Sequence, residues 1–274
     1  MSGILAPFAL EFMQRALIVA VIVGALCSTI GTYVVLRKLS FIGDGIAHAS
    51  FAGIVIAYLR GLDYYVGAGI VAVLTALGIG YVNRRGKVAL DTAIGVLFTG
   101  AFALGVFLMS RQSHYSVDLE GFLFGNILSV SRGDLLLIAA LASIVVFSLV
   151  LLYRPLLYTS FDPVVAEASG INVAFVDYAL LVLLALTIII SLESVGIVLV
   201  AALLVTPAAA AYQLTRRFTR MLVLSGCIGT ACSVLGLYLS YYLNAGSGAT
   251  IVLLVTVVFF VAMVIGRATR YRTE

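Results

Sequence analysis

Stretches of about 20 residues with scarcely a charged side chain recur from one end of this sequence to the other, each long enough to cross the hydrocarbon core of a bilayer as a helix. The run from Met13 to Leu36 carries one charge, Arg15, and the run from Gly196 to Leu214 carries none. A chain of 274 residues that is 63% hydrophobic and 10% charged, with a mean hydropathy of +1.21, has more apolar surface than a water-soluble core of this size hides. Lipid is then the solvent, and in lipid every backbone polar group must be satisfied internally, which leaves helices or closed-barrel strands. The apolar runs are continuous and long, which selects helices. The expectation is an all-α, polytopic transmembrane helical bundle of about eight or nine spans, forming one membrane domain over residues 1–274.

Runs of the required length fall at Met13–Leu36, Phe41–Leu59, Tyr64–Val82, Asp91–Met109, Leu135–Tyr153, Val176–Leu192, Gly196–Leu214, Met221–Leu243 and Ala249–Ile265. The first has no basic start and no Ala-x-Ala-like exit before Arg37, so it is expected to stay as a span and not to be cleaved as a signal peptide. Lys and Arg accumulate in cytoplasmic loops. With the C-terminus inside, alternation over nine spans places twelve of the sixteen basic residues on the cytoplasmic side, leaving Arg15, Arg60, Arg111 and Arg132 outside. The net charge of +4 is thus spread over span ends and forms no basic stripe, which argues against a nucleic-acid partner. Cys27, Cys227 and Cys232 lie in apolar runs without Cys-x-x-Cys spacing and read as small hydrophobes.

Two connections exceed a turn. The outer one, Arg111 to Asp134, has an amphipathic pattern and contains His114, Asp118 and Glu120, which form either an entry funnel or a solvated loop cluster. The inner one, Arg154 to Asp177, contains Asp162-Pro163, a cap and first-turn signal, and Gly170, a stop signal. It predicts a short surface helix, placed either to touch a partner or simply to link two spans.

An ionisable group deep in a span is costly and is by default a functional candidate. Among the acidic residues only Asp44 falls within a span away from its ends, and His48 follows it by one helical turn, so both side chains share one face. By the rise of a helix starting near Ser40, His48 is expected to approach mid-depth, about 12 Å in. A carboxylate oxygen with a neutral imidazole nitrogen suits first-row divalent ions such as Zn²⁺ or Mn²⁺. Two ligands are few, which fits an ion that must also be released, and a dimer would bring four. The structural alternative is an Asp–His pair hydrogen-bonded as glue between helices; Gly43 and Gly45 beside it allow close backbone approach. No His-Glu-x-x-His or Gly-x-Ser-x-Gly occurs, and neither Lys38 nor Lys87 follows a phosphate-binding loop. Any ATP hydrolysis must therefore reside on another polypeptide.

The segments Gly43-Asp44-Gly45-Ile46-Ala47-His48-Ala49, Leu123-Phe124-Gly125-Asn126-Ile127-Leu128 and Val195 to Ala209 resemble the zinc/manganese (metal-ion) ABC transporter permease family, membrane subunit. The resemblance runs over nearly the whole chain. It implies a homodimer in a prokaryotic plasma membrane, joined to two copies of a cytoplasmic ABC ATPase subunit and fed by an extracytoplasmic metal-binding protein. It implies that Asp44 and His48 coordinate a passing divalent ion (Mn²⁺, Zn²⁺ or Fe²⁺), with no permanently bound cofactor. It also makes the inner connector, about residues 154–177, similar to the coupling helix that docks on the ATPase, through Asp162, Pro163, Glu167 and Gly170. Here Gly170 follows Glu167 by only three residues, a compressed spacing. His114, Asp118 and Glu120 would lie at an outer gate or entry.

Other classes predict different chemistry. A proton-coupled secondary metal transporter would use Asp44 and His48 as a proton relay, but half-to-half similarity is lacking. An intramembrane enzyme lacks its motifs, and a permease for wide organic chelates has no need of an Asp/His pair.

Overall fold

The computed structural model describes residues 10–86, 88–111, 125 and 127–270. These form α1 (Glu11–Leu36), α2 (Ile42–Arg60), α3 (Tyr64–Arg85), α4 (Leu90–Ser110), α5 (Arg132–Leu151), α6 (Tyr153–Phe161), α7 (Pro163–Ala168), α8 (Val173–Val195), α9 (Ile197–Leu214), α10 (Phe218–Leu243) and α11 (Ser247–Arg270), with a 3-10 turn at Ile127–Ser129. Among the described residues nine helices are long and apolar enough to cross a membrane, every one of them matching an expected span. Several run past the apolar stretch that announces them: α3 continues to Arg85 and α11 to Arg270, while α8 begins at Val173 and so takes Asp177 into its second turn. Hydropathy registers only the lipid-facing length, whereas helical hydrogen bonding continues into charged ends.

Local signals set the ends. Asp63 accepts from the Tyr65 and Val66 amides to cap α3. Ser131 and Asp134 cap α5 reciprocally, the Asp134 carboxylate accepting from the Ser131 amide at 2.9 Å and the Ser131 hydroxyl from the Asp134 amide at 3.2 Å. The predicted short helix is present as α7, where Asp162 caps the Val164 and Val165 amides at 3.0 Å, Pro163 opens the helix, and Gly170 follows with φ +84°.

The chain divides into two compact units. One comprises the described parts of Met1–Val35, Glu120–Ala142 and Ile190–Glu274, and the other those of Leu36–Leu119 and Ser143–Ile189. In the first unit Glu11 pairs with Arg132, joining the starts of α1 and α5, which strict alternation of spans places on one side. Pro207 lies inside α9, where its missing amide leaves the Leu203 carbonyl without a helical partner. The Ser28 hydroxyl of α1 donates to that carbonyl at 3.3 Å, and the Ser225 hydroxyl of α10 donates to the Ser28 carbonyl at 2.6 Å, so three helices share one polar seam. Ser28→Ala is expected to lower stability by about 1–2 kcal/mol through the orphaned carbonyl, read as a fall in melting temperature in detergent.

Two of the sequence segments singled out above meet in this unit. Gly125 adopts φ +62° and lies directly against the Val195–Gly196 backbone, where Gly196, at φ +78°, separates α8 from α9. A Cβ at Gly125 would strike the Gly196 amide and the Val195 carbonyl carbon, and the left-handed backbone is itself unfavourable for an L side chain. Gly125→Ala is therefore expected to cost more than about 2 kcal/mol and to reduce the amount of folded protein recovered by gel filtration. The second unit is built around α2, which packs on α3 and α4 and carries the Asp–His pair.

Candidate metal pathway site

Asp44 and His48 both lie on α2, the carboxylate in its first turn and the imidazole one turn later. Because α2 starts at Ile42 and not near Ser40, His48 lies about 9 Å along a helix of about 28 Å, nearer its start than the mid-depth expected. The cause is the turn over Arg37–Phe41, in which Lys38 takes φ +57° and Leu39 is buried.

The pair is formed as the helical spacing requires. His48 Nδ1 lies 3.2 Å from Asp44 Oδ1 and 2.9 Å from the Asp44 carbonyl oxygen. A carbonyl only accepts, so Nδ1 bears a proton in this arrangement. The 3.2 Å separation of Asp44 Oδ1 and His48 Nδ1 is the hydrogen-bonded contact that an acid and an imidazole four residues apart make on one helix. A shared ion at those two atoms would replace the Nδ1 proton.

Around the imidazole α4 builds an aromatic wall. Phe98 and Phe102 place their ring centroids 6.1 and 5.8 Å from that of His48, and Phe51 contacts Phe102 at 5.4 Å. Gly45 lets α4 approach beside the carboxylate, since a Cβ there would come within 2.8 Å of Ile94 Cγ2. The pair is not sealed: the Asp44 side chain is 48% exposed and that of His48 26% exposed in the single chain. Among the described residues no group of three or more His, Cys, Asp or Glu side chains converges, so the pair stands as two candidate ligands only.

Of the other expected site residues, Asp162, Pro163 and Gly170 frame α7, while Glu167 is exposed on it. Ala166 alone turns inward; Phe161, Val164 and Val165 are exposed, Val164 to 76%, and form an apolar patch beside Glu167. Sequence reasoning missed this patch, although three large apolar side chains next to a cap-and-proline signal were visible. His114, Asp118 and Glu120 lie outside the described residues.

Among the described residues nine helices long and apolar enough to cross a bilayer define a multi-pass membrane protein. The sequence profile of the ABC 3 transport family matches residues 9–266, and the chain belongs to that family. It is similar to the "manganese transport system membrane protein MntC" of Listeria monocytogenes, 44% identical over 92% of this chain and 90% of that protein. It is 36% identical to the "manganese import system permease protein ScaB" of Streptococcus gordonii over 95% and 94% of the two chains, and 38% identical to a "probable iron transport system membrane protein" of Haemophilus influenzae over 95% and 96%. Among solved structures, PsaBC from Streptococcus pneumoniae in complex with Fab matches with a TM-score of 0.81 at 37% identity, covering 92% of this chain and 91% of the other. An inward-facing metal-chelate type transporter, at 16% identity and a TM-score of 0.74, shares the fold.

Proposed function

We propose that this chain is the membrane subunit of an ATP-driven importer of divalent transition-metal ions, with Mn²⁺ the first candidate and Fe²⁺ and Zn²⁺ next. The observation that carries the reading is the Asp44–His48 pair, partly exposed and sharing one face of α2, whose mixed oxygen–nitrogen character suits such ions. The names of the similar manganese and iron transport proteins favour the same cargo class.

On this reading residues 1–274 form one permease domain. Two copies face each other so that two Asp–His pairs converge, and the exposure of both side chains in the single chain supports that arrangement. An extracytoplasmic metal-binding protein delivers the ion, and His114, Asp118 and Glu120 serve its entry. Two cytoplasmic ATPase subunits hydrolyse ATP and engage the 154–177 connector at Asp162, Pro163, Glu167 and Gly170, so this subunit is not itself an enzyme and holds no permanent cofactor. The ion is cargo, bound by few ligands and released.

The test is radiolabelled manganese uptake in cells or proteoliposomes carrying the permease with its ATPase. Uptake that stops on ATP depletion and survives a protonophore supports the importer. Uptake that instead follows the proton gradient without ATP supports the relay reading of Asp44 and His48.

A further inference from the structure

Arg37 lies seven residues before Asp44, in the corner between α1 and α2, where charge counting reads it as a mark of topology. Its guanidinium is instead largely buried, with the side chain 13% exposed, and its three nitrogens are all engaged. Nη1 contacts Asp177 Oδ1 at 2.6 Å, Nε donates to the Ser160 hydroxyl at 3.0 Å, and Nη2 donates to the Thr159 hydroxyl. Thr159 and Ser160 stand at the end of α6, shortly before the Asp162 cap, and Asp177 stands in the second turn of α8, so the three lie on either side of α7 within the connector. One planar, rigid fork therefore holds both sides of α7 to the turn that leads into α2. Leu39 is buried in the same corner. Beside the fork lies a cavity of about 290 Å³ lined by Leu39, Asn83, Arg84, Pro163 and Tyr178, which leaves room for the connector to shift. Arg84 reaches Asp177 at only 4.0 Å from a more exposed position and adds little.

We propose that Arg37 is a positioning residue that ties the connector to the start of α2, so that movement imposed on the connector is transmitted to Asp44 and His48. This rests on the importer reading above. A connector that moves must either carry the α1–α2 corner with it or break three bonds from one partly buried guanidinium, one of them to a carboxylate.

The experiment reconstitutes the full chain with its ATPase in proteoliposomes. It compares manganese transported per ATP hydrolysed with Mn²⁺ occupancy by electron paramagnetic resonance, without nucleotide and with a trapped ATP state. Arg37→Ala and Asp177→Ala are expected to assemble, to keep nucleotide-free occupancy, and to lose the ATP-driven change in occupancy, with manganese per ATP falling about tenfold or more, as for a lost coupling between sites. Arg37→Lys, which keeps the charge but not the fork, is expected to fall between. Arg84→Ala, the same charge change without the bonds, is expected within about twofold of wild type. Should Arg37→Ala fail to assemble, the milder pair Thr159→Val with Ser160→Ala carries the test, and unchanged coupling in it overturns the proposal. So does wild-type coupling in Arg37→Ala, or an equal loss in Arg84→Ala. A wild-type complex that hydrolyses ATP yet moves no divalent ion overturns the importer reading itself, which that arm alone decides.

Discussion

Asp44→Ala and His48→Ala are each expected to lower manganese accumulation by at least about a hundredfold while leaving membrane insertion and the amount of protein unchanged. Substitutions of outer-shell partners in metal sites already cost 10–100-fold, and these two side chains would touch the ion directly. With two candidate ligands among the described residues of one chain, losing one would halve what the site offers. Asp44→Asn is the sharper variant, since it keeps the volume and removes the charge. His48→Gln tests the nitrogen ligand beside the Phe98 and Phe102 rings without opening a cavity as large as alanine would. The measurement is initial uptake at matched expression, checked by Mn²⁺ binding to the purified protein. Full uptake in either alanine variant would remove the pair from the pathway and leave it as interhelical glue.

Val164→Asp is expected to abolish docking of the ATPase without disturbing the fold of this chain. Val164 is 76% exposed on α7 and adjoins Phe161 and Val165, so a carboxylate there faces solvent in the free chain and costs the fold little. In an apolar contact it would strand a charge, weakening association by at least about 2 kcal/mol, or about thirtyfold. Co-purification of the ATPase with the permease reads the effect directly, and circular dichroism of the isolated chain supplies the control. Glu167→Ala, at the edge of the patch, is expected to have a smaller effect because exposed polar contacts at a rim contribute little. ATPase recovery at the wild-type level with Val164→Asp would mean that α7 is merely a link.

Much of the architecture is legible from residue order because lipid leaves the backbone so few choices. A run such as Gly196–Leu214 must pair its amides within itself, so its length gives the helix directly, Pro207 notwithstanding. The Asp44–His48 contact is legible for a related reason: helix geometry alone brings residues four apart together, and no tertiary partner is needed. The Asp162-Pro163 start of α7 is equally local, a cap and a fixed φ acting within one turn.

What the order of residues does not carry is which distant groups meet. Arg37 finds Thr159, Ser160 and Asp177 across more than 120 positions, Ser28 finds the carbonyl freed by Pro207, and Gly125 finds Gly196. Phe98 and Phe102 come to His48 on a separate helix. None of these meetings has a period or a spacing, because each depends on how two helices cross and at what depth. Residue order alone thus located the apolar spans, though not their ends, and the facing of one acid and one imidazole, through backbone hydrogen bonding in a medium without water. Tertiary structure decided the partners of the buried charge and of the freed carbonyl, since a polar group in an apolar bundle settles wherever packing leaves it something to bond.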